Sequence, residues 1–481
     1  MIDTSWTSEE NDPIINTIMN ASLQSDPQYG VPKNYKELLQ LNDQGWIDSL
    51  NAELDNFLSR DAWEFLPRKK LPANRKTLRC RWIFKQKADG SKKSRNVVRG
   101  YEQTPGIDYT ESYSPLATNT TIKVALAMAL IKHKTEKDWV IHMIDVEAAF
   151  LNAEVDSDIF IEMPEGLAPH LFYNKGMDLG DVVIKLRRAQ YGLVQSPRLW
   201  MQTFSKILIN LGLKQCRTDP CLFVLCDSKG TNLAMVVVYC DDCILTGHFK
   251  HISEIKKGIA RSVKILDLGK LKRHLGVDYE FGKDQEGHFI KASMSEYHAC
   301  IVRDFEKDME TRIRINNTPG LAVTPPLKST SEDEIILHEE FRSYVGRIMF
   351  ACGKTEPSLS NACRELTCHL TSPNAEHWTA LRHLIGYLKN NKALGHKMRA
   401  PKDTRIVAFV DSDYASDRAD RKSISGHLVT VGGCLVSWQS KKQTGVTLSS
   451  TESEFVAMSM AATEIKFIHS LLSEIQSDNT I

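Results

Sequence analysis

The 481-residue sequence lacks any apolar run long enough to cross a bilayer. A membrane-spanning helix needs about 20 apolar residues, and runs such as VALAMALI are far shorter. The first residues, MIDTSWTSEENDP, also lack the basic start and the apolar core of a secretory leader. These two absences predict a chain that is not secreted and has no membrane partner.

A disulfide framework is missing as well, because the 11 cysteines are scattered along the chain. Such scatter is typical of a reducing compartment. Cys240 and Cys243 form a C-x-x-C pair, and Cys363 lies five positions before Cys368. No second pair stands at zinc-finger spacing with histidine partners, and two aspartates between the first pair would crowd a zinc ion with negative charge. A zinc or redox module is therefore a disfavoured rival.

The sequence has almost no net charge, +1 at pH 7, but its charges are unevenly distributed. Between Arg68 and Arg99 there are 13 Lys or Arg residues and a single acidic residue, Asp89. Such a run is usually a solvated surface, yet it also suits the binding of phosphate groups. The length allows two to four domains, each with its own core.

The hydrophobic pattern divides the chain into four predicted segments. They are a polar extension over 1–45, alternating strands and helices over 46–281, a linker with helices over 282–400, and a new α/β unit over 401–481. Helices are predicted over 120–134 and 196–213, the latter capped by Ser196, and CLFVLC with LAMVVVYC predicts an antiparallel meander. Residues 282–330 look rich in loops and end in TPGLAVTPP, a predicted linker.

Two adjacent aspartates, Asp241 and Asp242, interrupt the apolar run VVVYCDDCIL. Burying a carboxylate costs several kcal/mol unless it is paired or bound to metal, so either a hairpin turn or a metal site is expected here. A third carboxylate, Asp145, shares one face of the strand VIHMID with Ile141 and Met143. Three aspartates on neighbouring strands can converge on Mg²⁺, which prefers carboxylate oxygens.

Many stretches in one order give the chain a family resemblance. They include RWIFKQKADG, RNVVRGYEQTPGIDYTESYSPLA, IDVEAAFLNAEV, QYGLVQSPRLW, YCDD, LDLGKLKRHLG, DSDYASDRADRKSISGHL and SWQSKKQTGVTLSSTESEF. From about residue 35 to about residue 475 the chain resembles the reverse transcriptase and ribonuclease H region of copia-type long-terminal-repeat retrotransposon polyproteins.

The resemblance implies catalytic roles for the three aspartates. Asp145 and Asp241 would bind two Mg²⁺ ions, for which Mn²⁺ can substitute, and the backbone carbonyl of Val146 would add a ligand. Asp242 would be a supporting carboxylate. Such elements more often have Val at the position that Cys240 occupies here.

The resemblance also implies a nucleotide site. Arg95, with Lys85 as a second candidate, would grip the triphosphate, and Phe150 would lie beneath the sugar, where the alternative is an ordinary core phenylalanine. Tyr191 and Gly192 would line the template and nucleotide pocket. The segment HLGVDY resembles a hairpin that holds the primer end.

For the C-terminal segment the resemblance implies a ribonuclease H-like domain with ligands at Asp411 and Glu454. Glu454 is expected on a helical stripe that faces the sheet, with Met458, Ala461 and Ile465. Glu452 is predicted to form a capping box with Ser449. The third carboxylate would be Asp478, in an SDN segment that no apolar strand precedes, and Asp413 is secondary. This domain is therefore expected to be incomplete.

Taken together, the predicted fold is a multidomain α+β chain, a right-hand polymerase with fingers, palm and thumb, followed by the incomplete domain. The implied activity is RNA-directed DNA polymerisation by two-metal nucleotidyl transfer. The implied partners are an RNA template, a DNA primer, deoxynucleoside triphosphates and other retrotransposon polyprotein products, in cytoplasmic particles or the nucleus. The alternative is a decayed, non-catalytic copy that still binds nucleic acid.

Overall fold

The computed structural model describes residues 30–87, 90–135, 138–167, 181–321, 336–391 and 394–476. Within these ranges the protein is an α+β chain whose sheets are mainly antiparallel. Its elements form four groups from the N-terminus to the C-terminus.

The first group pairs two helices with a small sheet and a hairpin. Its elements are α1 (Tyr35–Leu41), α2 (Gln44–Ser59), β1 (Trp63–Pro67), β2 (Thr77–Leu78), β3 (Cys80–Gln86), β4 (Lys92–Val98), β6 (Phe160–Ile161) and β7 (Val182–Leu186). The sheet has the order β1-β7-β6-β2, and β3 pairs with β4 as a hairpin. Leu38 of α1 is buried, so the described part of the predicted extension contributes to a core.

The second group is a six-stranded antiparallel sheet flanked by helices. Its elements are α3 (Asn119–Thr135), β5 (Trp139–Val146), α4 (Ser196–Asn210), β8 (Lys214–Gln215), β9 (Leu222–Cys226), β10 (Asn232–Tyr239), β11 (Asp242–His248), α5 (Phe249–Ala260) and β12 (Ile265–Lys270). The strand order is β12-β5-β11-β10-β9-β8. The predicted meander is therefore present as β9, β10 and β11.

Helix α4 begins one residue earlier than the predicted cap implies. Gln195 is the N-cap residue, and Ser196 is the first residue of the helix. The Ser196 hydroxyl donates instead to the backbone carbonyl of Gln190, at 2.6 Å. The prediction that Ser196 caps the helix was wrong because this tertiary hydrogen bond takes its side chain away from the helix end.

The third group contains a hairpin-rich sheet and four helices. Its elements are β13 (Arg273–His274), β14 (Val277–Asp284), β15 (Gly287–Ser293), α6 (Ser295–Asp308), α7 (His338–Lys354), α8 (Ser360–Thr367), α9 (Ala375–Asn390) and β16 (His396–Arg399). The expected loop-rich character of 282–330 was wrong as far as Asp308, because β15 and α6 occupy that stretch. The predicted segment boundary at 281/282 falls inside β14. The segment TPGLAVTPP lies outside the described residues after Leu321.

The last group is the C-terminal unit, which consists of β17 (Ile406–Asp413), β18 (Ile424–Val431), β19 (Cys434–Lys442) and α10 (Ser450–Gln476). The strands form an antiparallel sheet in chain order, and α10 packs on β17 and β18. Among the described residues α10 is the single helix long and apolar enough to cross a membrane. Length and composition alone are weak evidence of a membrane span, because core helices of soluble proteins share both properties.

The sheet-facing stripe of α10 differs from the predicted one. Ser453, Ala457 and Ala461 are buried, whereas Glu454 is half-buried and Met458 is 44% exposed. The predicted stripe was therefore wrong at Glu454 and Met458, which follow the buried residues Ser453 and Ala457, whereas Ala461 is buried as predicted and Ile465 packs against the core. The Ser412 hydroxyl of β17 donates to that of Ser453, at 2.6 Å, which fixes this rotation of the helix.

Candidate active site

Cys240 and Asp241 form the two-residue loop of the β10–β11 hairpin, because Tyr239 pairs directly with Asp242. Cys240 has a φ of 57°, a left-handed conformation that costs a residue with a Cβ about 1–2 kcal/mol. The indole N–H of Trp200 donates to the Cys240 carbonyl at 2.8 Å and holds the loop in place. The turn and the carboxylate cluster therefore coincide at one point of the sheet.

Strand β5 brings Asp145 to the same point. Asp145 is the direct register partner of Asp242, and the backbone N–H of Val146 donates to the Asp241 carbonyl at 2.9 Å. Directly opposed residues on antiparallel strands have Cβ atoms about 5 Å apart, where like charges repel. The structure thus brings together the three aspartates singled out in the sequence.

The electrostatics of this cluster favour a bound cation. Burial, followed by the charges of Asp241 and Asp145, raises the pKa of Asp242 to about 7. Burial and the neighbouring carboxylates Asp241 and Glu147 also raise the pKa of Asp145. A divalent ion would remove this repulsion, and carboxylate oxygens are the ligands that Mg²⁺ prefers.

The described residues include no preformed cluster of three or more His, Cys, Asp or Glu side chains at metal-binding distance. The set predicted from the sequence is smaller than such a cluster, since it has two carboxylates, Asp145 and Asp241, and one backbone carbonyl, that of Val146, and it stays a prediction. Oxygen ligands from substrate phosphates and water commonly complete a Mg²⁺ shell. The donor set therefore fits a metal that binds together with its substrate.

Three of the predicted nucleotide-site residues contact one another beside this cluster. The Arg95 guanidinium lies 5.1 Å from the centre of the Tyr191 ring, and that ring meets Phe150 edge-on at 4.8 Å between centroids. Phe150 is half-buried rather than enclosed. Burial raises the pKa of Tyr191, and the nearby charge of Asp241 raises it further, whereas Arg95 lowers it.

Gly192 holds this group against the β3–β4 hairpin. Its φ is 94°, and a Cβ built there would lie 2.0 Å from the Val98 carbonyl oxygen. The backbone N–H of Val98 donates to the Tyr191 carbonyl at 2.9 Å. Only glycine permits this approach, so Gly192 sets how closely β4 lies to the loop that carries Tyr191.

Lys85 is exposed on β3, where its register partner is Lys93. The lysine whose charge lowers the pKa of Asp145 is instead Lys87, two residues further along. Two further residues beside the site were not predicted: Glu147, which lies two residues after Asp145, and Trp200, whose indole N–H donates to the Cys240 carbonyl. Proximity in sequence could have indicated Glu147, but nothing in the sequence pointed to Trp200.

The predicted ribonuclease H residues are more dispersed. Ser412 faces α10, so strand alternation puts Asp411 on the opposite, exposed face of β17, whereas Glu454 lies on α10. Asp413 is also exposed on β17, and Asp478 lies outside the described residues. Glu452 caps the start of α10, as predicted. Its carboxylate accepts from the backbone N–H of Leu448 at 2.6 Å, whereas the predicted capping box would use the N–H of Ser449.

The cysteines do not form a redox or zinc site within the described ranges. None of the 11 cysteines, all of which lie in the described ranges, forms a disulfide bond. Burial raises the pKa of Cys240 to about 12 and that of Cys243 well above its usual range, which disfavours the reactive thiolate. The zinc and redox alternative therefore has no structural support here.

The family model for reverse transcriptase (RNA-dependent DNA polymerase) matches residues 62–318, just over half of the chain. The chain therefore belongs to this reverse transcriptase family, and the family predicted from the sequence is confirmed. The match covers every residue predicted for the polymerase catalytic and nucleotide sites, from Lys85 to Asp242.

Two plant relatives specify the kind of element. The chain is 30% identical over 445 residues to a "Retrovirus-related Pol polyprotein from transposon RE1" of Arabidopsis thaliana, covering 90% of this chain and 28% of the relative. It is 27% identical over 453 residues to the corresponding polyprotein from transposon TNT 1-94 of Nicotiana tabacum, covering 92% of this chain and 33% of that one. The chain thus spans about three tenths of the length of these retrotransposon polyproteins.

A solved structure of a foamy viral protease–reverse transcriptase in complex with double-stranded DNA is also similar. The likeness covers 89% of this chain and 61% of that chain, with 14% sequence identity and a TM-score of 0.45.

Proposed function

We propose that the protein is an RNA-directed DNA polymerase that extends a DNA primer with deoxynucleotides on an RNA template. The observation that carries the proposal is the opposition of Asp145 and Asp242 across β5 and β11, with Asp241 hydrogen-bonded through its carbonyl to Val146. The reaction is attack of the primer 3′-hydroxyl on the α-phosphate of the nucleotide, with release of pyrophosphate.

The domain assignment follows from that reaction. Residues 46–281 are the fingers and palm, with the β3–β4 hairpin as fingers and the six-stranded sheet as palm. Residues 282–400 are the thumb and connection, and residues 401–481 are a ribonuclease H-like domain. The polar segment 1–45 precedes the fingers. The hairpin of β13 and β14 lies beside the six-stranded sheet through a Tyr239–His274 ring contact at 6.1 Å, which suits a primer-end contact.

The two metal positions belong to Asp145 and Asp241, with the Val146 carbonyl as an added ligand. When bound, two Mg²⁺ ions activate the attacking oxygen and stabilise the leaving one. Asp242 supports the site by opposing Asp145. Burial, followed by the charges of Asp241 and Asp145, raises its pKa to about 7.

Arg95 orients the triphosphate, since guanidinium groups make bidentate contacts with phosphate oxygens. The contact with Tyr191 presets the guanidinium before the nucleotide arrives. Phe150, half-buried against the same tyrosine, supports the sugar and excludes a 2′-hydroxyl. Lys85 and Lys87 are exposed cations of the same hairpin that suit contacts with the nucleic acid backbone.

The ribonuclease H-like unit contributes little or no cleavage. Asp411 and Glu454 lie on opposite sides of β17, so these two predicted metal ligands do not face one another. Contacts with other retrotransposon polyprotein products are part of the same proposal, because the relatives are about three times longer than this chain.

Primer extension on an RNA template with Mg²⁺ tests the proposal, with Asp241→Asn as the matched inactive variant. Extension that depends on Asp241 supports the polymerase. A wild-type protein that binds the primer–template but does not extend it would instead indicate a decayed copy that retains nucleic acid binding.

A further inference from the structure

Helix α3 is buried on nearly every side. Each residue from Thr121 to Leu130 is buried, including Lys123. A helix that is apolar all round must be covered all round, and a sheet covers only one face of a helix. Part of the cover of α3 must therefore come from another part of the chain.

The C-terminal unit supplies that cover. A single hydrophobic core contains α3, the six-stranded sheet and residues of the C-terminal unit, namely Val429, Val431, Cys434, Val436, Ile468, Leu471, Leu472 and Ile475. Strand β19 and helix α10 both pack against α3. The Thr120 hydroxyl also donates to Glu464 of α10, at 2.9 Å.

A buried cation marks the centre of this junction. Lys123 is 8% exposed, and its Nζ lies 3.7 Å from the centre of the Trp438 ring on β19. The Trp438 indole N–H donates to the Cys352 carbonyl of α7 at 3.0 Å. Trp438 therefore joins α3, the C-terminal unit and α7 at one point, and the ring offsets part of the cost of burying the ammonium group.

The last turn of α10 is hydrogen-bonded to the edge of the six-stranded sheet. Glu474 accepts hydrogen bonds from the backbone N–H groups of Arg217 and Thr218, at 2.7 and 2.9 Å, in the turn between β8 and β9. The Asn232 side chain donates to the Ile475 carbonyl at 3.1 Å. Asn232 begins β10, the strand whose other end leads into the loop that carries Asp241.

We propose that the C-terminal unit braces the polymerase sheet, a role that is independent of nuclease chemistry. Helix α10 has 27 residues and spans about 40 Å, with the three-stranded sheet at its start and β8–β10 at its end. This role accounts for its long apolar character. It also gives the unit a function in a chain whose nuclease residues are dispersed.

Hydrogen exchange on the full chain tests the brace with two interface variants, Trp438→Ala and Glu474→Ala. The matched controls are Phe409→Ala, on the exposed face of β17, and Lys466→Ala, at an exposed position of α10. We expect each interface variant to speed amide exchange at least tenfold in α3 or at the start of β10, with the controls unchanged. Glu474→Gln, which keeps an acceptor oxygen, should restore most of the protection.

Faster exchange confined to β17–β19 and α10 would overturn the brace, because the two parts would then be independent modules. Unchanged exchange throughout would overturn it equally. If Trp438→Ala does not fold, Glu474→Ala decides the outcome. The exchange measurement needs no activity, so failure of the wild type to extend primers would contradict the proposed polymerase without deciding the brace.

Discussion

Replacing Lys123 with methionine should stabilise the protein at neutral pH and remove part of its pH dependence. Burial lowers the pKa of Lys123 from its usual 10.5 to about 7. The charge of Lys354 on α7 contributes to this lowering, whereas the charge of Glu464 on α10 opposes it. Below about pH 7 the folded protein therefore holds Lys123 as a buried ammonium group, and the burial of this charge lowers the free energy of unfolding by its full amount.

The magnitude follows from linkage between protonation and folding. Between about pH 7 and pH 10.5 the unfolded chain binds the Lys123 proton and the folded chain does not, so stability rises with pH across that window. The pKa falls by about 3.5 units, and at about 1.4 kcal/mol for each unit the contribution is of order 5 kcal/mol. Methionine has a similar length but no charge. Lys123→Met should therefore lose the rise of stability with pH, and it should also lose about 1 kcal/mol of cation–π attraction to the Trp438 ring.

The assay is urea unfolding followed by tryptophan fluorescence at several pH values between about 6.5 and 10. The matched control is Lys466→Met, because Lys466 is exposed on α10 and should keep the wild-type pH dependence. Parallel curves for wild type and Lys123→Met would refute the reasoning, since Lys123 would then titrate alike in the folded and unfolded chains.

Three further predictions concern the site. Phe150→Ala should raise the ratio of ribonucleotide to deoxynucleotide incorporation at least tenfold, and an unchanged ratio would leave Phe150 a packing residue only. Gly192→Ala should destabilise the protein by roughly 3 kcal/mol and raise the KM for the nucleotide, because its Cβ would meet the β4 backbone; Gly433→Ala, with a φ of 86° but open space, is the control for backbone strain alone. Asp411→Asn should leave primer extension unchanged. Neither the wild type nor this variant should cleave the RNA strand of an RNA–DNA hybrid, and cleavage by the wild type that the variant lacks would contradict this.

The sequence was sufficient to predict the elements that carry the three carboxylates of the proposed catalytic site. Alternating apolar residues predicted β5 with Asp145 near its end, and adjacent aspartates between two apolar runs predicted the β10–β11 hairpin. These features are local, because strand period and turn composition act over a few residues. The direct opposition of Asp145 and Asp242 needed the strand register, which the sequence does not encode locally.

The junction between the polymerase sheet and the C-terminal unit could not be predicted in this way. It joins α3 to Trp438, more than 300 residues later, and β16 pairs with β15, which lies more than 100 residues earlier. The all-round apolar character of α3 indicated cover on every side but not which segment supplies it. Strand β15 and helix α6 were also not predicted. Fewer of their residues are buried than exposed or half-buried, so the stretch after residue 281 has the polar composition of a loop.

The most direct test of the polymerase is the single-turnover rate of nucleotide addition to a DNA primer on an RNA template. Asp145→Asn and Asp241→Asn should each slow this rate about a thousandfold, a loss of ~4 kcal/mol of transition-state stabilisation, while the primer–template still binds. Lys466→Ala should match the wild type. Rates within threefold of wild type for either aspartate variant would contradict the assignment of the catalytic site.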